Sequence, residues 1–427
     1  MAKVAIIGLG YVGITTSVGL ATLGHDVVGY DVNSERVDLL INGKAPIFET
    51  GLTEALQENL GKGTLRFTKN AQSLSKTNAE FFFVCVPTPQ DASGAANLSY
   101  VLDVVRELKE IATPGSIVVL KSTVPVGSGE RVRLALGRTD VHVASNPEFL
   151  REGSALRDFM FPDRIIAGAA DPQVAEKVLG LYRDLESQKL ATSIESAELV
   201  KYSTNAYLAT RLSFVNDLAA LCEKVGASID DVVAGLGSDS RIGTSFLSPG
   251  PGWGGSCFPK DTRALVSVAS DFGVDLPLID AALESNERAV ARVVEQIKDL
   301  AGGALEGKTI AVWGLAFKAN TDDTRESPSL SVISRLIDRG SSIRAFDPVA
   351  THSAGQMFTQ VGSALEAAKE ADVLVVLTEW GEFSKVDSLE VGRLLKSSAV
   401  LDARRILPAL EWRKNIANFR ALGDPYA

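Results

Sequence analysis

Hydrophobic and polar positions alternate along the first third of the chain in blocks typical of strands followed by helices. Between the first two strand-like blocks, Tyr11–Leu23 is predicted to be a helix that ends near Gly24. The later apolar runs are continuous, which is typical of strands buried on both faces of a parallel sheet. This alternation predicts a parallel sheet wound by right-handed crossovers. Four predicted strands are Lys3–Gly8, Asp26–Asp31, Phe81–Val86 and Ile117–Lys121.

The pattern becomes helical near Ser196. The stretch Ser196–Val225 contains no proline or glycine and is followed by Gly226, so it predicts one helix of roughly 30 residues, about 45 Å long. A helix of this length usually bridges domains or packs against a partner chain. A glycine- and proline-rich loop and two further helices are predicted next: Ser248–Pro259, about Pro259–Phe272, and Leu278–Leu300.

Strand–helix alternation resumes near Gly302 and repeats the opening of the chain: a strand, a glycine turn, a helix, and a strand that ends in aspartate. The repeat has lost the second and third glycines of the turn. We therefore predict an α/β protein with two Rossmann-like parallel-sheet domains, residues 1–195 and 302–427, joined by a central helical segment, 196–301, with one long helix. The repeated elements are Thr309–Gly314, Ser329–Arg339 and Ile343–Asp347.

Composition narrows the class of protein. A length of 427 residues suits two or three domains, and 45% hydrophobic with 22% charged residues is typical of an ordinary globular chain. The net charge of −10 argues against nucleic acid or an anionic membrane as a partner. No apolar run approaches the roughly 18 residues of a membrane span, and the start of the chain lacks a signal-peptide cleavage pattern. Three scattered cysteines and three histidines form neither a disulfide framework nor a metal site, so we expect a cytoplasmic protein without a metal.

The segment Gly8-Leu-Gly10-Tyr-Val-Gly13 follows a predicted strand and opens a helix. Its glycines allow a tight turn and close approach of a pyrophosphate to the helix N-terminus. Asp31, at the end of the next strand, is placed to bind ribose hydroxyls and to repel a 2′-phosphate, so NAD is favoured over NADP. Arg36 would weaken that preference. The competing interpretation is a glycine-rich turn that binds nothing.

Cys257 lies just before a predicted helix whose first residue is Pro259. A helix N-terminus favours a thiolate, and the surrounding glycines would let another molecule approach the backbone. Asp261 is positioned to handle protons beside it. The competing interpretation is a packed cysteine in a tight loop, and we expect that buried, neutral state for Cys85 and Cys222.

Three other groups of residues carry candidate chemistry. Lys201 and Asn205 share one face of the long helix and form a plausible pair of oxyanion donors, although surface pairs at this spacing are common. Lys121–Gly127 and Asn146–Gly153 each follow a predicted strand, where parallel sheets bind ligands. Thr123 in the first loop and the carboxylates of the second suit water or a sugar hydroxyl. Ordinary turn chemistry and a solvated acidic face explain them equally well.

Six motifs occur in a fixed order, and together they resemble the UDP-glucose/GDP-mannose dehydrogenase family over nearly the whole chain, leaving the tail after about Leu401 uninformative. The motifs are Gly8-x-Gly-x-x-Gly13, Lys121-Ser-Thr-Val-Pro-Val-Gly127, Asn146-Pro-Glu-Phe-Leu-Arg-Glu152, Lys201-x-x-x-Asn205, Gly252-x-Gly-Gly-Ser-Cys-Phe-Pro-Lys-Asp261 and Gly314-x-Ala-Phe-Lys-x-x-Thr-Asp-Asp-x-Arg325.

The resemblance implies a two-step, NAD-dependent oxidation of a nucleotide sugar at C6, from alcohol to carboxylate. It implies Cys257 as the nucleophile that forms a thiohemiacetal and then a thioester. Lys201 and Asn205 are then the oxyanion donors. The other implied catalytic residues are Asp261 and Thr123, which position water and move protons, Glu148, which assists thioester hydrolysis, and Glu152 near the nicotinamide.

The resemblance also implies two binding sets. The NAD set is Gly8, Gly10, Tyr11, Val12, Gly13, Asp31, Arg36, Thr88, Thr123, Glu152, Arg263 and Arg325. The sugar-nucleotide set is Glu148, Phe149, Leu150, Arg151, Glu152, Lys201, Asn205, Phe246, Leu247, Gly250, Gly254, Cys257 and Lys318, with Arg241 reaching the neighbouring subunit of a homodimer.

Several alternatives remain open. Arg151-Glu152-Gly153 and Cys257-Phe-Pro-Lys260 favour UDP-glucose, with product UDP-glucuronate, over GDP-mannose or UDP-N-acetylmannosamine. A β-hydroxyacid dehydrogenase would share the first domain and the Lys-x-x-x-Asn helix but would not need Cys257 or a second α/β domain. A silent NAD sensor would have no reason to carry Lys201, Asn205, Cys257 and Asp261 together.

Overall fold

The structure is a computed structural model that describes residues 1–90, 96–351 and 358–425. The chain forms two compact units. The first contains Met1–Thr204 and Arg263–Val274, and the second contains Asn205–Thr262 and Asp275–Ala427. The three-part division at residues 195 and 301 stays a prediction. Within the described ranges, no helix combines the length and the apolar character needed to cross a bilayer.

Eight strands of the first unit form one sheet in the order β3-β2-β1-β4-β5-β6-β7-β8. Neighbouring strands are parallel except β6 and β7, which are antiparallel. The predicted parallel sheet is therefore confirmed for its first six strands, whereas β7 and β8 form an edge that the sequence analysis did not predict. The strands are β1 (Lys3–Ile7), β2 (Asp26–Tyr30), β3 (Leu65–Thr68), β4 (Phe81–Val84), β5 (Ile117–Leu120), β6 (His142–Ser145), β7 (Arg164–Ala169) and β8 (Gln188–Thr192).

Helices cover both faces of this sheet, because alternate residues of each strand point to opposite faces. Ile6 of β1 belongs to one apolar core and Ile7 to another on the opposite face. The helices are α1 (Tyr11–Thr22), α2 (Ser34–Ile41), α3 (Leu52–Lys62), α4 (Ser99–Ile111), α5 (Ser128–Leu136), α6 (Ala155–Met160) and α7 (Pro172–Gly180), with a 3₁₀ turn at Ala71–Thr77.

Four helices follow: α8 (Ile194–Val225), α9 (Ile229–Gly237), α10 (Phe258–Asp271) and α11 (Pro277–Leu300). The predicted long helix is present as α8, with 32 residues. It begins before Ser196, because Ser193 is the N-cap and its hydroxyl accepts the Ser196 N–H at 3.2 Å. Helix α10 also begins one residue earlier than predicted.

The second unit contains a six-stranded, fully parallel sheet in the order β11-β10-β9-β12-β13-β14. This order matches the first six strands of the first unit, which confirms the predicted repeat. The strands are β9 (Thr309–Trp313), β10 (Ser342–Phe346), β11 (Thr359–Gln360), β12 (Val373–Val376), β13 (Ala399–Asp402) and β14 (Asn418–Ala421). The helices are α12 (Pro328–Ile337), α13 (Ala364–Ala368), α14 (Ser388–Leu394) and α15 (Ala409–Asn415), with a 3₁₀ turn at Phe383–Lys385.

Candidate functional site

The turn between β1 and α1 has the geometry of a phosphate cradle. Gly8 has φ +89° and donates its N–H to the Tyr30 carbonyl at 2.8 Å. A Cβ on Gly13 would lie 1.8 Å from the Gly8 oxygen, so helix and strand approach as closely as glycine allows. Gly10 is the N-cap of α1, and a Cβ there would meet no atom within 4 Å. The open space at this helix N-terminus fits the pyrophosphate of a dinucleotide.

The carboxylate of Asp31 lies against this glycine turn. It follows β2 directly, is 6% exposed, and accepts the Leu9 N–H at 2.6 Å and the Asn33 N–H at 2.8 Å. Arg36 donates to the same carboxylate at 3.0 Å. The structure therefore brings Asp31 and Arg36 together beside the cradle.

Tyr11 connects the cradle to the loop that carries Glu148 and Glu152. Its hydroxyl donates to the carboxylate of Glu49 and accepts the Gly153 N–H at 2.9 Å. Gly153 also donates to Glu49 at 3.0 Å. Burial and the negative charge of Glu49 raise the pKa of Tyr11, so the hydroxyl stays protonated. Glu49 was missed in the sequence, since an isolated glutamate in a loop carries no pattern.

Thr88 and Thr123 meet where β4 and β5 end. The Thr88 hydroxyl donates to the Thr123 carbonyl at 2.8 Å, and the hydroxyl of Ser122 donates to the Val86 carbonyl at 2.6 Å. Parallel strands bind ligands at this edge. Thr88 and Thr123, which the resemblance assigns to the same NAD set, therefore lie together.

Lys201 and Glu148 form a buried ion pair. The Lys201 Nζ lies 2.8 Å from Glu148 Oε1, and the two side chains are 5% and 6% exposed. Burial opposes ionisation of Glu148, but the charge of Lys201 and the Leu150 N–H outweigh it and hold the pKa of Glu148 below its ordinary value. Two residues far apart in sequence, predicted as oxyanion donor and hydrolytic carboxylate, are thus direct partners.

The buried surroundings of this pair contain two groups with displaced pKa values. Burial lowers the pKa of Lys121 to about 8, and its Nζ donates to Asn146 Oδ1 at 3.0 Å. Burial raises the pKa of Cys85 to about 12, which keeps its thiol neutral. Cys222 is likewise buried, at 4% exposure. The prediction that Cys85 and Cys222 are buried is confirmed.

In the second unit, Cys257 is the N-cap residue of α10. Its carbonyl accepts the Asp261 N–H at 2.8 Å, and its thiol is partly exposed. The side chain of Asp261 is fully buried and accepts a hydrogen bond from Asn205 at 2.6 Å and another from Lys260. The partial positive charge of the helix N-terminus favours a thiolate at Cys257. The predicted nucleophile and its proton-handling neighbour therefore share one helical turn.

The loop before Cys257 is held by polar side chains from α8 and α11. Asn216 accepts the Gly250 N–H at 2.8 Å, Asn286 accepts the Trp253 N–H at 2.7 Å, and Ser213 accepts the Trp253 indole at 2.9 Å. The sequence analysis did not identify these three side chains, because isolated polar residues in helices give no distinctive pattern.

Close packing within the chain is a second reason for the glycines of this loop. A Cβ on Gly254 would lie 2.0 Å from the Glu326 carbonyl oxygen, and one on Gly255 would lie 2.8 Å from the Phe317 ring. The space on the Cβ side of these two glycines is therefore filled by this chain's own backbone and side chains. In the preceding segment, Phe246 has φ +58° and Leu247 is buried.

Arg404 is a candidate binding residue that the sequence analysis did not identify. Its guanidinium donates to the carbonyls of Phe317 at 2.9 Å and Leu377 at 2.8 Å. A Cβ on Gly250 would lie 3.1 Å from Arg404 Nη1. Arg404 therefore lies next to Gly250 and to the segment that carries Lys318. Its position directly after a parallel strand, β13, was the available signal.

Four predicted arginines are exposed. Three of them pair with aspartates close in sequence: Arg151 with Asp158, Arg241 with Asp239, and Arg325 with Asp323. Arg241 is 86% exposed. The fourth, Arg263, lies in α10. Of the remaining predicted residues, Val12 and Leu150 pack against the first core, and Phe149 and Glu152 are half-buried.

Three family models cover most of the chain. The NAD-binding domain of the UDP-glucose/GDP-mannose dehydrogenase family matches residues 2–186, its central domain matches 195–288, and its UDP-binding domain matches 311–409. The chain belongs to the UDP-glucose/GDP-mannose dehydrogenase family. The resemblance inferred from the motifs is confirmed, and with it an enzyme whose cofactor is NAD.

Individual relatives agree with this assignment. A UDP-glucose 6-dehydrogenase of Rhizobium meliloti is 40% identical over 99% of this chain and 100% of its own. One from Bacillus subtilis is 37% identical over 100% and 94%. The solved UDP-glucose dehydrogenase of Pyrobaculum islandicum superposes with a TM-score of 0.91, at 36% identity over 99% and 98%. A UDP-D-ManNAc dehydrogenase of Pyrococcus horikoshii has a TM-score of 0.88 at 28% identity over 99% of both chains.

Proposed function

We propose that this family member oxidises UDP-glucose to UDP-glucuronate, with two NAD reduced per sugar. The observation that carries the proposal is Cys257 at the N-cap of α10, one turn before the buried Asp261. Alcohol oxidation alone needs a base and no thiol, whereas a carbonyl carbon held between two oxidations needs a nucleophile. UDP-glucose is the preferred sugar because relatives named for it reach 40% identity over the whole chain.

The residues of the first unit suit NAD, which when bound supplies the acceptor for each hydride removed from C6. The open space beside Gly10 accommodates the pyrophosphate at the N-terminus of α1. Asp31 accepts hydrogen bonds from ribose hydroxyls, and its charge disfavours a 2′-phosphate. Tyr11, Val12, Thr88 and Thr123 complete this set, with Arg36, Glu152 and Arg263 as its charged members. Arg325, the remaining residue of the proposed NAD set, belongs to the second unit.

The first oxidation removes a hydride and a proton from the C6 alcohol and leaves an aldehyde. The Cys257 thiolate then adds to the aldehyde carbon, and the carbonyl oxygen takes up the negative charge. Lys201 and Asn205, four residues apart on α8, donate hydrogen bonds to that oxygen. The proton released from the C6 hydroxyl in the first oxidation is held by Asp261 and the water positioned by Thr123. It passes to that oxygen and yields the neutral thiohemiacetal.

The second oxidation removes a second hydride from C6, while the hydroxyl proton passes to Asp261 and through the adjacent water to solvent, leaving a thioester on Cys257. Water then attacks the thioester, breaks the carbon–sulfur bond, and releases the carboxylate and the thiolate. Glu148 assists this attack by orienting the water. Its lowered pKa keeps the carboxylate ionised at neutral pH, and this negative charge stabilises the positive charge that develops on the attacking water before its protons pass to solvent.

The remaining candidates hold the nucleotide sugar. Phe149–Glu152, Phe246–Gly250, Gly254 and Lys318 form this set, and Arg404 joins it because it lies beside Gly250. A guanidinium in this position suits a diphosphate. Two of its nitrogens also bind the Leu377 and Phe317 carbonyls, and Nε lies 3.2 Å from the carboxylate of Glu379. Such local cations are needed because the chain carries a net charge of −10.

We also propose a cytoplasmic homodimer that packs through α8. Tyr207, Phe214 and Leu221 recur every seven residues on this helix and are 63%, 53% and 55% exposed. An apolar stripe of this kind on a long helix is typical of a protein interface. The exposed Arg241 is then available to a neighbouring subunit. The three cysteines form no disulfide in the described parts of the chain, which suits a reducing compartment.

The test is a nucleotide-sugar panel with the purified chain and NAD. UDP-glucose should give two NADH per sugar consumed and a uronic acid by mass spectrometry, without free aldehyde. A preference for GDP-mannose or UDP-N-acetylmannosamine would transfer the same chemistry to another substrate. One NADH per substrate, or turnover of a β-hydroxyacid, would contradict the proposed four-electron reaction.

A further inference from the structure

Glu198 is a buried carboxylate that the proposed chemistry does not use. It lies on α8, three residues before Lys201, and is 1% exposed. Both carboxylate oxygens accept backbone N–H groups from the start of α5. Oε2 accepts the Gly127 N–H at 2.8 Å, and Oε1 accepts the Gly129 N–H at 2.7 Å. The side chain of Glu198, on α8, thus caps the N-terminus of α5.

The start of α5 is shaped to receive this carboxylate. Gly127 is the N-cap and has φ +89°, a conformation that favours glycine, and it provides no side-chain cap of its own. A Cβ on Gly129 would lie 2.6 Å from the Ile194 side chain, so α5 begins in close contact with the first turn of α8. A larger residue at position 129 would force the Ile194 side chain or the start of one helix to move.

Glu198 thereby joins two parts of the proposed site. The segment that ends at Gly127 carries Thr123, whose carbonyl accepts a hydrogen bond from the Thr88 hydroxyl. On the other side, α8 carries Lys201 one turn beyond Glu198. A displacement of the 121–127 segment relative to α8 would move Thr123 with respect to Lys201.

We infer that Glu198 is a positioning residue, which holds the Thr123 segment against α8 and so sets Thr123 relative to Lys201. This inference rests on the proposed function, since it assigns Glu198 a part in that reaction without contact with substrate or cofactor. Misplacement of a reacting group by about 1 Å is able to lower the rate on the order of 100-fold.

The ionisation of Glu198 supplies a way to separate positioning from simple stabilisation. Burial raises the pKa of Glu198 to about 7, although the N–H groups of Gly129, Gly127 and Ser128 lower it; Glu195 on α8 adds a repulsive charge. Glu130, in the first turn of α5, is exposed and pairs with Arg133. Because the folded-state pKa is raised, the carboxyl opposes folding increasingly as the pH rises from about 4.3 towards 8.

The central variant is Glu198→Gln, which keeps the size and one acceptor but turns an NH₂ towards one of the two backbone N–H groups. We expect kcat/KM for NAD to fall on the order of 10-fold to 100-fold. Between pH 5 and pH 8, the Tm of the wild type should fall relative to the Tm of the variant, because the variant lacks the ionisable group. Glu198→Asp, which retains the charge on a shorter side chain, should also lower kcat/KM.

The matched control is Glu195→Gln, the same change one turn earlier at an exposed position, which should retain wild-type kinetics. Wild-type kinetics in Glu198→Gln would overturn the inference. So would a loss of activity that only follows a lower Tm and a smaller folded fraction at pH 8. Failure of the wild-type chain to oxidise any nucleotide sugar would instead contradict the proposed function.

Discussion

The sheet of the second unit has the same strand order as the first six strands of the first unit, and the turn after the first strand begins in the same way, yet the two units differ where a ligand would lie. Gly8 donates its N–H to the Tyr30 carbonyl at 2.8 Å, and Gly314 donates to the Phe346 carbonyl at 2.8 Å. Both glycines have positive φ, +89° and +98°. After these glycines the units diverge. In the first, α1 begins within three residues, whereas in the second α12 begins only at Pro328.

The aspartates that end the second strand of each repeat show the same divergence. Asp31 accepts two backbone N–H groups and the Arg36 guanidinium. Asp347 accepts five donors, namely the Leu315, Ala316, Val349 and Ala350 N–H groups and the Trp380 indole. The aspartate is thus a structural partner of the turn in both units. Only in the first unit does this aspartate lie beside the open glycine cradle at the start of α1. We conclude that the strand order sets where a ligand binds, and that the turn after the first strand sets which ligand fits.

The largest expected effect comes from a change that removes the nucleophile and leaves both α/β units unchanged. Cys257→Ala removes the nucleophile and leaves both sheets intact, so NAD and UDP-glucose should still bind in calorimetry. Formation of UDP-glucuronate should fall by several orders of magnitude, as is typical when a nucleophile is lost. Slow, reversible formation of aldehyde remains possible without the thiol.

Cys222→Ala is the control for this change, because it removes the same atoms from a buried position in α8. It should cost about 1 kcal/mol of stability and keep its turnover. Uronic acid formed by Cys257→Ala at a near wild-type rate would falsify the nucleophile assignment.

A smaller effect distinguishes the two aspartates directly. Asp31→Ala should lower kcat/KM for NAD by about 10-fold to 100-fold, the equivalent of lost charged hydrogen bonds, and should narrow the preference over NADP. Asp347→Ala should leave the ratio of NAD to NADP unchanged. It should instead lower the free energy of unfolding by about 3 kcal/mol, because it leaves five buried donors unpaired.

Steady-state kinetics with both cofactors and urea unfolding of the two variants provide the measurement. Comparable kcat/KM for NAD and NADP in the wild type would show that Asp31 does not select the cofactor. A cofactor shift in Asp347→Ala would show that the second turn also binds a dinucleotide.

The smallest expected effect on turnover comes from a change on α8, the helix between the two sheets in sequence, and its main result is a change in oligomeric state. Phe214→Glu places a charge in the exposed stripe and should halve the mass measured by light scattering. Leu278→Glu is the control, since Leu278 is 77% exposed on α11, outside the stripe. A wild-type monomer with full activity would exclude the proposed dimer and the role of Arg241 in it.

Much of the site was predictable because its signals are local. The glycine motif, Asp31 after the second strand, and Cys257 before a helix are each encoded within a few residues. Lys201 and Asn205 were predictable as one face of α8 from helical spacing. The repeat was also predictable, because strands and helices have different hydrophobic periods and a glycine marks the turn between them.

The partners of these residues were not predictable. Glu198 caps α5 across 69 positions, and Arg404 reaches the Phe317 carbonyl across 87. Glu49 closes the contact between Tyr11 and Gly153, which lie 142 positions apart. No short-range pattern marks such residues, because their role depends only on what the fold places beside them. The antiparallel β7 was missed for the same reason, since strand direction depends on pairing.

The sequence by itself determined the two repeats, the long helix and the identity of the chemical groups, because hydrophobic period, glycine conformation and helix capping act over a few residues. Only the tertiary structure decided which carboxylates are paired, which are buried with displaced pKa values, and why the glycines before Cys257 are needed. Burial and charge pairing depend on atoms brought together from distant segments, and desolvation of a carboxylate such as Glu198 exists only once the chain has folded around it.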